Sequence, residues 1–168
     1  MDERLKKFVL EVLETGRDLS LATLREDGYP QANAISYAND GLILYFGTAR
    51  TSQKVKNIQQ CNKVSITISM PYNDWSQIRG VSMAATAHVL TDDSPESARA
   101  MDRLLARFPA AWDMSPPAEA AHQSVFVKLV PVIISVIDYT QGFGHSELVE
   151  ICASDLGERA PTGQMHGI

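Results

Sequence analysis

One stretch of nine residues marks how this chain folds: Phe46-Gly47-Thr48-Ala49-Arg50-Thr51-Ser52-Gln53-Lys54. The apolar run at 42–46 is typical of a buried strand, and the glycine after it suits a turn. Val55 and Ile58 follow three positions apart, as residues on one face of a helix do. The stretch therefore predicts a strand, a tight turn and the start of a short helix.

The turn has the composition of an anion site. The first N–H groups of a helix have no partner inside the helix and carry partial positive charge. Thr48 and Ser52 add hydroxyl donors, and Lys54 adds a positive charge that would otherwise oppose the helix dipole. From these residues alone two interpretations stay open: a phosphate site, or a capped surface helix with a solvated lysine.

The rest of the chain predicts about six strands. Three short runs occupy residues 19–47, and the turns between them, at 25–28 and 39–41, force neighbouring strands to pair antiparallel. Further runs rich in β-branched residues follow at 63–70, 78–90 and 124–139, the last with a bend at Pro131. We expect a mainly β fold with flanking helices, an antiparallel six-stranded split β-barrel whose closure removes exposed edges.

Two amphipathic helices flank the predicted strands. The first begins near the N-terminus and stops at Gly16, with an apolar stripe formed by Leu5, Phe8, Val9, Val12 and Leu13. The second has Ser94 as N-cap and Pro95 at its first helical position, where the missing N–H costs nothing. Its predicted apolar face consists of Ala98, Met101, Leu105 and Phe108.

The composition indicates one globular domain with an acidic balance of charge. Of 168 residues, 45% are hydrophobic and 21% are charged, which suits a packed core and not a disordered chain. A net charge of −5 and a pI near 5.3 argue against nucleic acid and anionic membranes as partners, since both require a basic surface. A small phosphate ligand needs only one local positive site.

Other features favour a cytoplasmic protein without a metal site. The N-terminal residues are charged, and no apolar window approaches the roughly 20 residues of a membrane helix. Cys61 and Cys152 lie far apart and in no C-x-x-C spacing, so we expect two ordinary thiols in a reducing compartment. The histidines have no metal-ligand spacing, and no dinucleotide-binding or Walker motif occurs. A polar tail is expected at 153–168, after a domain at 1–152.

The meander followed by Thr48, Ser52, Gln53 and Lys54 resembles the FMN-binding split-barrel family related to pyridoxamine 5′-phosphate oxidase. It looks closest to the short general-stress-protein branch, with the likeness covering roughly residues 5–140 in element order and strongest over 48–57. The resemblance implies that these four residues hold the FMN phosphate. Pyridoxamine phosphate oxidases carry Arg-Lys where this chain has Gln53-Lys54, so one charge is missing, and Arg50 is a candidate to supply it.

By the same resemblance, strand residues Asn33, Ala34, Ile35 and Ser36 would lie along the isoalloxazine ring, which family members contact through backbone N–H and C=O groups. Alternation supports this, because Ala32, Ala34 and Ser36 share one face and are small enough to leave room for a flat ligand. Further candidates for ring contacts are Trp112, Phe143 and His145, while Trp75 is expected to serve packing.

The resemblance also implies a homodimer with FMN sites at the subunit interface. We expect an FMN flavoprotein, an oxidoreductase that uses flavin hydride or electron transfer on an unknown small molecule. Three alternatives stay open: a non-catalytic flavin carrier or stress-related binding protein, or the same fold binding haem or a deazaflavin. Haem would need an axial ligand such as His145. No catalytic acid or base is assigned.

Overall fold

The computed structural model of the chain describes residues 1–111 and 123–157. These residues form eight strands: β1 (Asp18–Leu24), β2 (Pro30–Ser36), β3 (Ala38–Asp40), β4 (Ile43–Ala49), β5 (Lys63–Ser69), β6 (Arg79–Val89), β7 (Ser124–Asp138) and β8 (Ser146–Glu150). They also form three α-helices: α1 (Glu3–Thr15), α2 (Gln53–Gln60) and α3 (Pro95–Arg107). Within the described residues, no helix is both long enough and apolar enough to cross a membrane.

The strands form one antiparallel sheet in the order β2-β1-β5-β6-β7-β4-β3, with β8 beside β7. The two ends of this order are neighbours in the chain, because Tyr37 alone separates β2 from β3. The sheet therefore curls until its first and last strands are joined by the chain itself. A gap remains between β2 and β4, because β2 pairs with β1 whereas β4 pairs with β7. This is a split barrel with flanking helices, and the predicted fold class is confirmed.

The described chain has two strand segments more than the six predicted. Strand β2 continues past a bend at Tyr37 into β3, so six strand passages build the barrel itself. The predicted turn at 39–41 is wrong at Asn39 and Asp40, which belong to β3 and pair with β4. Strand β8 is absent from the prediction, because five residues are too few to show a clear strand pattern and none of them is buried. The predicted bend at Pro131 is confirmed, since the register between β6 and β7 shifts at Ala84 and Ala85, opposite it.

The barrel interior is filled by alternate side chains of the strands, and α1 and α2 close on it. Strand β5 shows the pattern most clearly, because it buries every second residue. Val12 and Leu13 of α1 and Ile58 of α2 belong to the same core cluster. A second, smaller cluster around Tyr45 and Ala100 packs α3 against the outside of the barrel.

Local signals start and stop two of the helices, and the predicted signals at Gly16, Ser94 and Pro95 are confirmed. Asp2 caps α1 by accepting a hydrogen bond from the N–H of Leu5 at 2.8 Å, and this helix ends before Gly16. Ser94 caps α3 and Pro95 lies in its first turn. Because each signal involves only neighbouring residues, these boundaries can be predicted without knowledge of the tertiary structure.

The predicted apolar face of α3 is wrong at two of its four residues, whereas Leu105 and Phe108 are half-buried. Ala98 and Met101 are exposed, and the helix instead buries Ser97 and Ala100 against the barrel. Ser97 can be buried because its hydroxyl donates to the carbonyl oxygen of Thr91 at 2.7 Å. A serine that is satisfied by the local backbone does not stand out as a core residue in a hydrophobic pattern.

The segment after β8 packs on the barrel as far as it is described. The backbone N–H and the thiol of Cys152 both donate to Asp155, at 3.0 and 2.9 Å. Leu156 is partly buried against both hydrophobic clusters. Residues 158–168 of the predicted tail lie outside the described part of the chain, so the domain boundary at 152 stays a prediction.

Tyr37 joins three elements at the bend of the barrel. Its side chain is fully buried, and its hydroxyl donates to the carbonyl oxygen of Leu13 in α1 at 2.7 Å. The guanidinium of Arg107 in α3 lies 4.7 Å from the centre of the ring and donates to the carbonyl oxygens of Leu13 and Gly16. Burial raises the pKa of Tyr37 to about 12, so its hydroxyl remains a donor.

We expect Tyr37→Phe to lower the free energy of unfolding by about 1 kcal/mol, because Leu13 then loses one of its two hydrogen-bond donors while the ring still fills its site. Equilibrium urea denaturation measures the difference. Tyr29→Phe is the matched control, because Tyr29 is 72% exposed, and it should change stability by less than about 0.5 kcal/mol. Equal effects of the two variants would contradict the anchoring role of Tyr37.

Candidate functional site

Three polar side chains converge where β4 turns into α2, at residues 48–54, a segment called the β4–α2 corner. The Nζ of Lys54 donates to Oγ1 of Thr48 at 3.3 Å, and this Oγ1 lies 3.4 Å from Oγ of Ser52. All three side chains are partly exposed, so a ligand can reach their polar atoms. The structure thus brings together the two hydroxyls and the cation that the sequence predicts as an anion site.

The N-terminus of α2 is capped differently from those of α1 and α3. Asp2 and Ser94 each accept a hydrogen bond from an N–H group of their own helix, whereas Ser52 makes no side-chain capping bond. The Ser52 hydroxyl lies beside Thr48 instead. The N–H of Val55 already donates to the carbonyl oxygen of Ser52 at 3.1 Å, so the N–H groups of Gln53 and Lys54 are those left for an acceptor from outside the helix.

Arg50 and Gln53, the other candidates for holding a phosphate, are engaged elsewhere. One Nη of Arg50 donates to both carboxylate oxygens of Asp92, at 2.8 and 2.6 Å. The side-chain amide of Gln53 donates to Oδ1 of Asn57, one turn further along α2, at 2.9 Å. Among residues 48–54, Lys54 therefore carries the positive charge beside the two hydroxyls.

A buried polar network lies beneath the corner, and the sequence analysis did not identify it. Asn57 is fully buried, and its Nδ2 donates to Oγ1 of Thr23 at 2.9 Å and to Oε1 of Gln31 at 3.1 Å. Together with the bond from Gln53, these contacts join α2 to β1 and β2. One signal in the sequence points to this network. Asn57 comes directly before the apolar Ile58, and both lie on the face of α2 that packs on the barrel.

Strand β2 carries the residues predicted to lie along the ring. Asn33 and Ile35 face the barrel, whereas Ala34 and Ser36 are exposed on the outside. Since β2 ends the sheet order and pairs with β1, its other edge has N–H and C=O groups without a neighbouring strand. The Oδ1 of Asn33 is buried and has no hydrogen-bond partner among the described residues. The split therefore offers a free backbone edge and one unpaired acceptor.

Phe143 and His145 lie at the opposite end of the barrel from the β4–α2 corner. Thr48 pairs with the start of β7, whereas the loop at 139–145 follows the end of this 15-residue strand. At about 3.3 Å per residue, β7 extends on the order of 45 Å from the corner to this loop. One chain alone therefore does not bring these two residues to the corner. Trp112, the remaining candidate, lies outside the described residues.

His145 belongs to an ion-pair network of its own. Its Nε2 lies 3.2 Å from Oε1 of Glu147, and Arg4 donates to both oxygens of the same carboxylate at 3.0 and 2.7 Å. The hydrogen bonds from Arg4 and then from His145 hold the pKa of Glu147 below its usual range. The network ties β8 to α1, which accounts for His145 without a ligand.

The chemistry of the candidate site is that of hydroxyl, ammonium, amide and backbone groups. Within residues 1–111 and 123–157, no cluster of three or more His, Cys, Asp or Glu side chains could hold a metal ion. Cys61 and Cys152 are free thiols. Such a set of donors suits an anionic organic ligand, bound by charge at the corner and by hydrogen bonds along β2.

Solved structures of several known proteins resemble this chain. A haem-binding protein from Mycobacterium smegmatis matches with a TM-score of 0.71 at 18% identity, over 89% of this chain and 59% of that one. HutZ, the haem storage protein from Vibrio cholerae, matches with a TM-score of 0.60 at 17% identity, over 77% and 89% of the two chains. Both likenesses show the fold alone. An F420 reductase matches with a TM-score of 0.56 at 28% identity, over 74% and 93%.

Sequence comparison gives the family. No curated protein matches the chain in a sequence search. A family model, described as pyridoxamine 5′-phosphate oxidase, matches residues 5–133, a range that contains β1 to β6, most of α1, all of α2 and α3, and the β4–α2 corner. The matched residues make up well over half of the chain. The chain therefore belongs to the pyridoxamine 5′-phosphate oxidase family.

Proposed function

We propose that the protein is a flavoprotein that binds FMN and acts as an oxidoreductase on a small molecule. The observation that carries the proposal is the β4–α2 corner, where Thr48, Ser52 and Lys54 converge at the uncapped start of α2. A phosphate dianion there would accept hydrogen bonds from the hydroxyls and N–H groups and would offset the lysine charge. Membership of the family supports the same assignment.

The residues along β2 fit the remainder of FMN. The ribityl chain and the ring carry O–H and N–H donors, and the buried Oδ1 of Asn33 is an acceptor in need of a donor. The free edge of β2 can pair with the polar edge of a flat ring, as a neighbouring strand would. Ala34 and Ser36 are small and exposed, which leaves space on the outer side of the strand.

FMN, when bound, supplies hydride or electron transfer, and the protein supplies the surroundings of the ring. Lys54 and the two hydroxyls fix the phosphate end of the ligand. Backbone groups of β2 orient the ring and influence its electron density through hydrogen bonds. No side chain of the described site is placed as a catalytic acid or base, so the reaction is assigned to the cofactor.

A homodimer is part of the proposal, because one chain leaves a patch of small residues open on the outside of the sheet. Cross-strand register aligns two rows on the outside of β2, β1, β5 and β6: Ala34, Ser20, Thr67 and Ser82, and Ala32, Ala22, Ser65 and Ala84. These two rows carry no charged side chain, with Lys63 and Asp18 at their margins, and charged residues are depleted in the centres of interfaces. A partner copy on this face would lie beside β2 and could bring its own loop at 139–145 toward the ring. We expect the protein to work in the cytoplasm.

A deazaflavin is the second candidate ligand, favoured by the 28% identity to the F420 reductase. The fold would place its ring along β2 in the same way, while the corner would receive its phosphate. A non-catalytic flavin carrier would use the same residues as the enzyme. Haem is a further alternative, and the described residues offer His88 and His145 as axial ligands, the second already paired with Glu147.

The visible spectrum of the purified protein, before and after FMN titration, tests the proposal. We expect the two absorbance bands of a bound flavin and anaerobic bleaching of those bands by a reduced nicotinamide. A flavin that does not bleach would favour the carrier. A Soret band would favour haem, and a single band near that of a deazaflavin would favour F420. Absence of any binding to FMN would contradict the proposed function.

We expect Lys54→Met to weaken FMN binding by at least about tenfold, because a charge-assisted bond to phosphate contributes about 1.5–3 kcal/mol. Fluorescence quenching of FMN on binding measures the dissociation constant. Lys56→Met is the matched control, because Lys56 is exposed on the same helix and has the same charge. Equal affinities of the two variants would contradict the phosphate assignment at the corner.

We expect Thr67→Arg to convert the dimer into a monomer, because it buries a charge without a partner in the centre of the proposed interface. Sedimentation velocity gives the mass of each species. Ala106→Arg, on the exposed side of α3, is the control that should remain dimeric. A wild-type protein that sediments as a monomer at all concentrations would exclude the proposed homodimer.

A further inference from the structure

Asn57 is the polar side chain at the centre of the buried network beneath the β4–α2 corner. It is fully buried, and three hydrogen bonds use both hydrogens of its amide and its oxygen. The bonds run to Gln53 in the first turn of α2, to Thr23 on β1 and to Gln31 on β2. One side chain thus touches the helix that begins at the corner and the strand proposed to lie along the ring.

Packing alone does not require an asparagine at this position. Val55 and Ile58 already attach α2 to the barrel through the apolar core. Removing an amide from water costs free energy that its hydrogen bonds only just offset, so a leucine would hold the helix at least as firmly. What a leucine cannot do is fix the helix to a chosen point on β2, because apolar contacts have no direction.

Strand β2 needs such a fixed point. It has a strand neighbour on one edge, β1, and its other edge faces the split. The hydrogen bond from Asn57 to Gln31 therefore attaches β2 to α2 as well as to β1. This attachment lies two residues before Asn33. Gln53, which stands where related enzymes carry an arginine, forms the outer end of this link and not a further charge at the corner.

We propose that Asn57 is a positioning residue that sets the distance between the start of α2 and β2, so that one ligand can be held at its phosphate and at its ring together. This rests on the proposed function, because the benefit of the link is the simultaneous use of both ends. The residue touches neither end of the ligand itself. Its effect reaches the phosphate through the first turn of α2 and the ring through Gln31 and its strand.

The experiment compares the dissociation constants of FMN and of riboflavin, which lacks the phosphate. In the wild type, the ratio of riboflavin to FMN constants reports how well the corner is aligned with the ring site. We expect Asn57→Leu to reduce that ratio at least tenfold. Ile58→Ala is the control for structure alone, because it loosens α2 without touching the network, and it should lower thermal stability while leaving the ratio within twofold.

Two further variants keep the test decisive if Asn57→Leu folds poorly. Thr23→Val removes one partner of Asn57 with little change of volume, and we expect it to reduce the ratio by about threefold. In the Lys54→Met background, Asn57→Leu should cost less in FMN affinity than it does in the wild type, because the corner has already lost its charged contact to the phosphate. Equal costs in both backgrounds, or an unchanged ratio in Thr23→Val, would overturn the proposal.

A ligand-free measurement separates this proposal from the proposed function. In ¹⁵N–¹H spectra of the protein without ligand, Thr23→Val should shift the amide signals of both Lys54 and Asn33, because the link joins their elements. Shifts confined to β1 would overturn the link whatever ligand the protein binds. Failure of the wild type to bind FMN, with the coupled shifts present, would contradict the proposed ligand and leave the link supported.

Discussion

Residues 30–40 form one continuous segment that pairs with two different strands of the sheet. Its first half pairs with β1 and its second half with β4, and the change of partner takes place at Tyr37. The hydroxyl of Tyr37 and the guanidinium of Arg107 tie this bend to α1 and α3. Because β2 leaves β4 at this point, the barrel is split, and the split creates both the free edge of β2 and the open flank of the β4–α2 corner.

The corner itself shows how a site can be stable and still ready for an anion. A lysine in the first turn of a helix opposes the helix dipole, and Ser52 does not cap the helix with its side chain. Both features cost stability, and both become favourable when a dianion is present. Arg50 is paired with Asp92 and Gln53 with Asn57, so Lys54 carries the positive charge beside the two hydroxyls. Gln53 is an internal link here, and its neutrality is compatible with a phosphate held by Lys54 and neutral donors.

Features encoded by neighbouring residues could be predicted from the sequence, and features that depend on distant partners could not. The end of α1 at Gly16, the cap of α3 at Ser94 and the β4–α2 corner each involve residues within a few positions of one another. The buried face of α3 depends on Ser97 finding a backbone acceptor, which a hydrophobic pattern does not show. The burial of Asn57 could not be predicted, because its partners Thr23 and Gln31 are far away in sequence. The opposite location of His145 follows from the length of β7, which periodicity alone does not translate into distance from the corner.

The central claim is that the β4–α2 corner holds the phosphate of a flavin while β2 holds its ring. The most direct measurement is a crystal structure of the protein with FMN bound. The phosphate oxygens should lie about 2.7–3.2 Å from the hydroxyls of Thr48 and Ser52 and from Nζ of Lys54, with the ring against the free edge of β2. A phosphate that points into solvent, or a flavin bound away from residues 48–54, would contradict the claim.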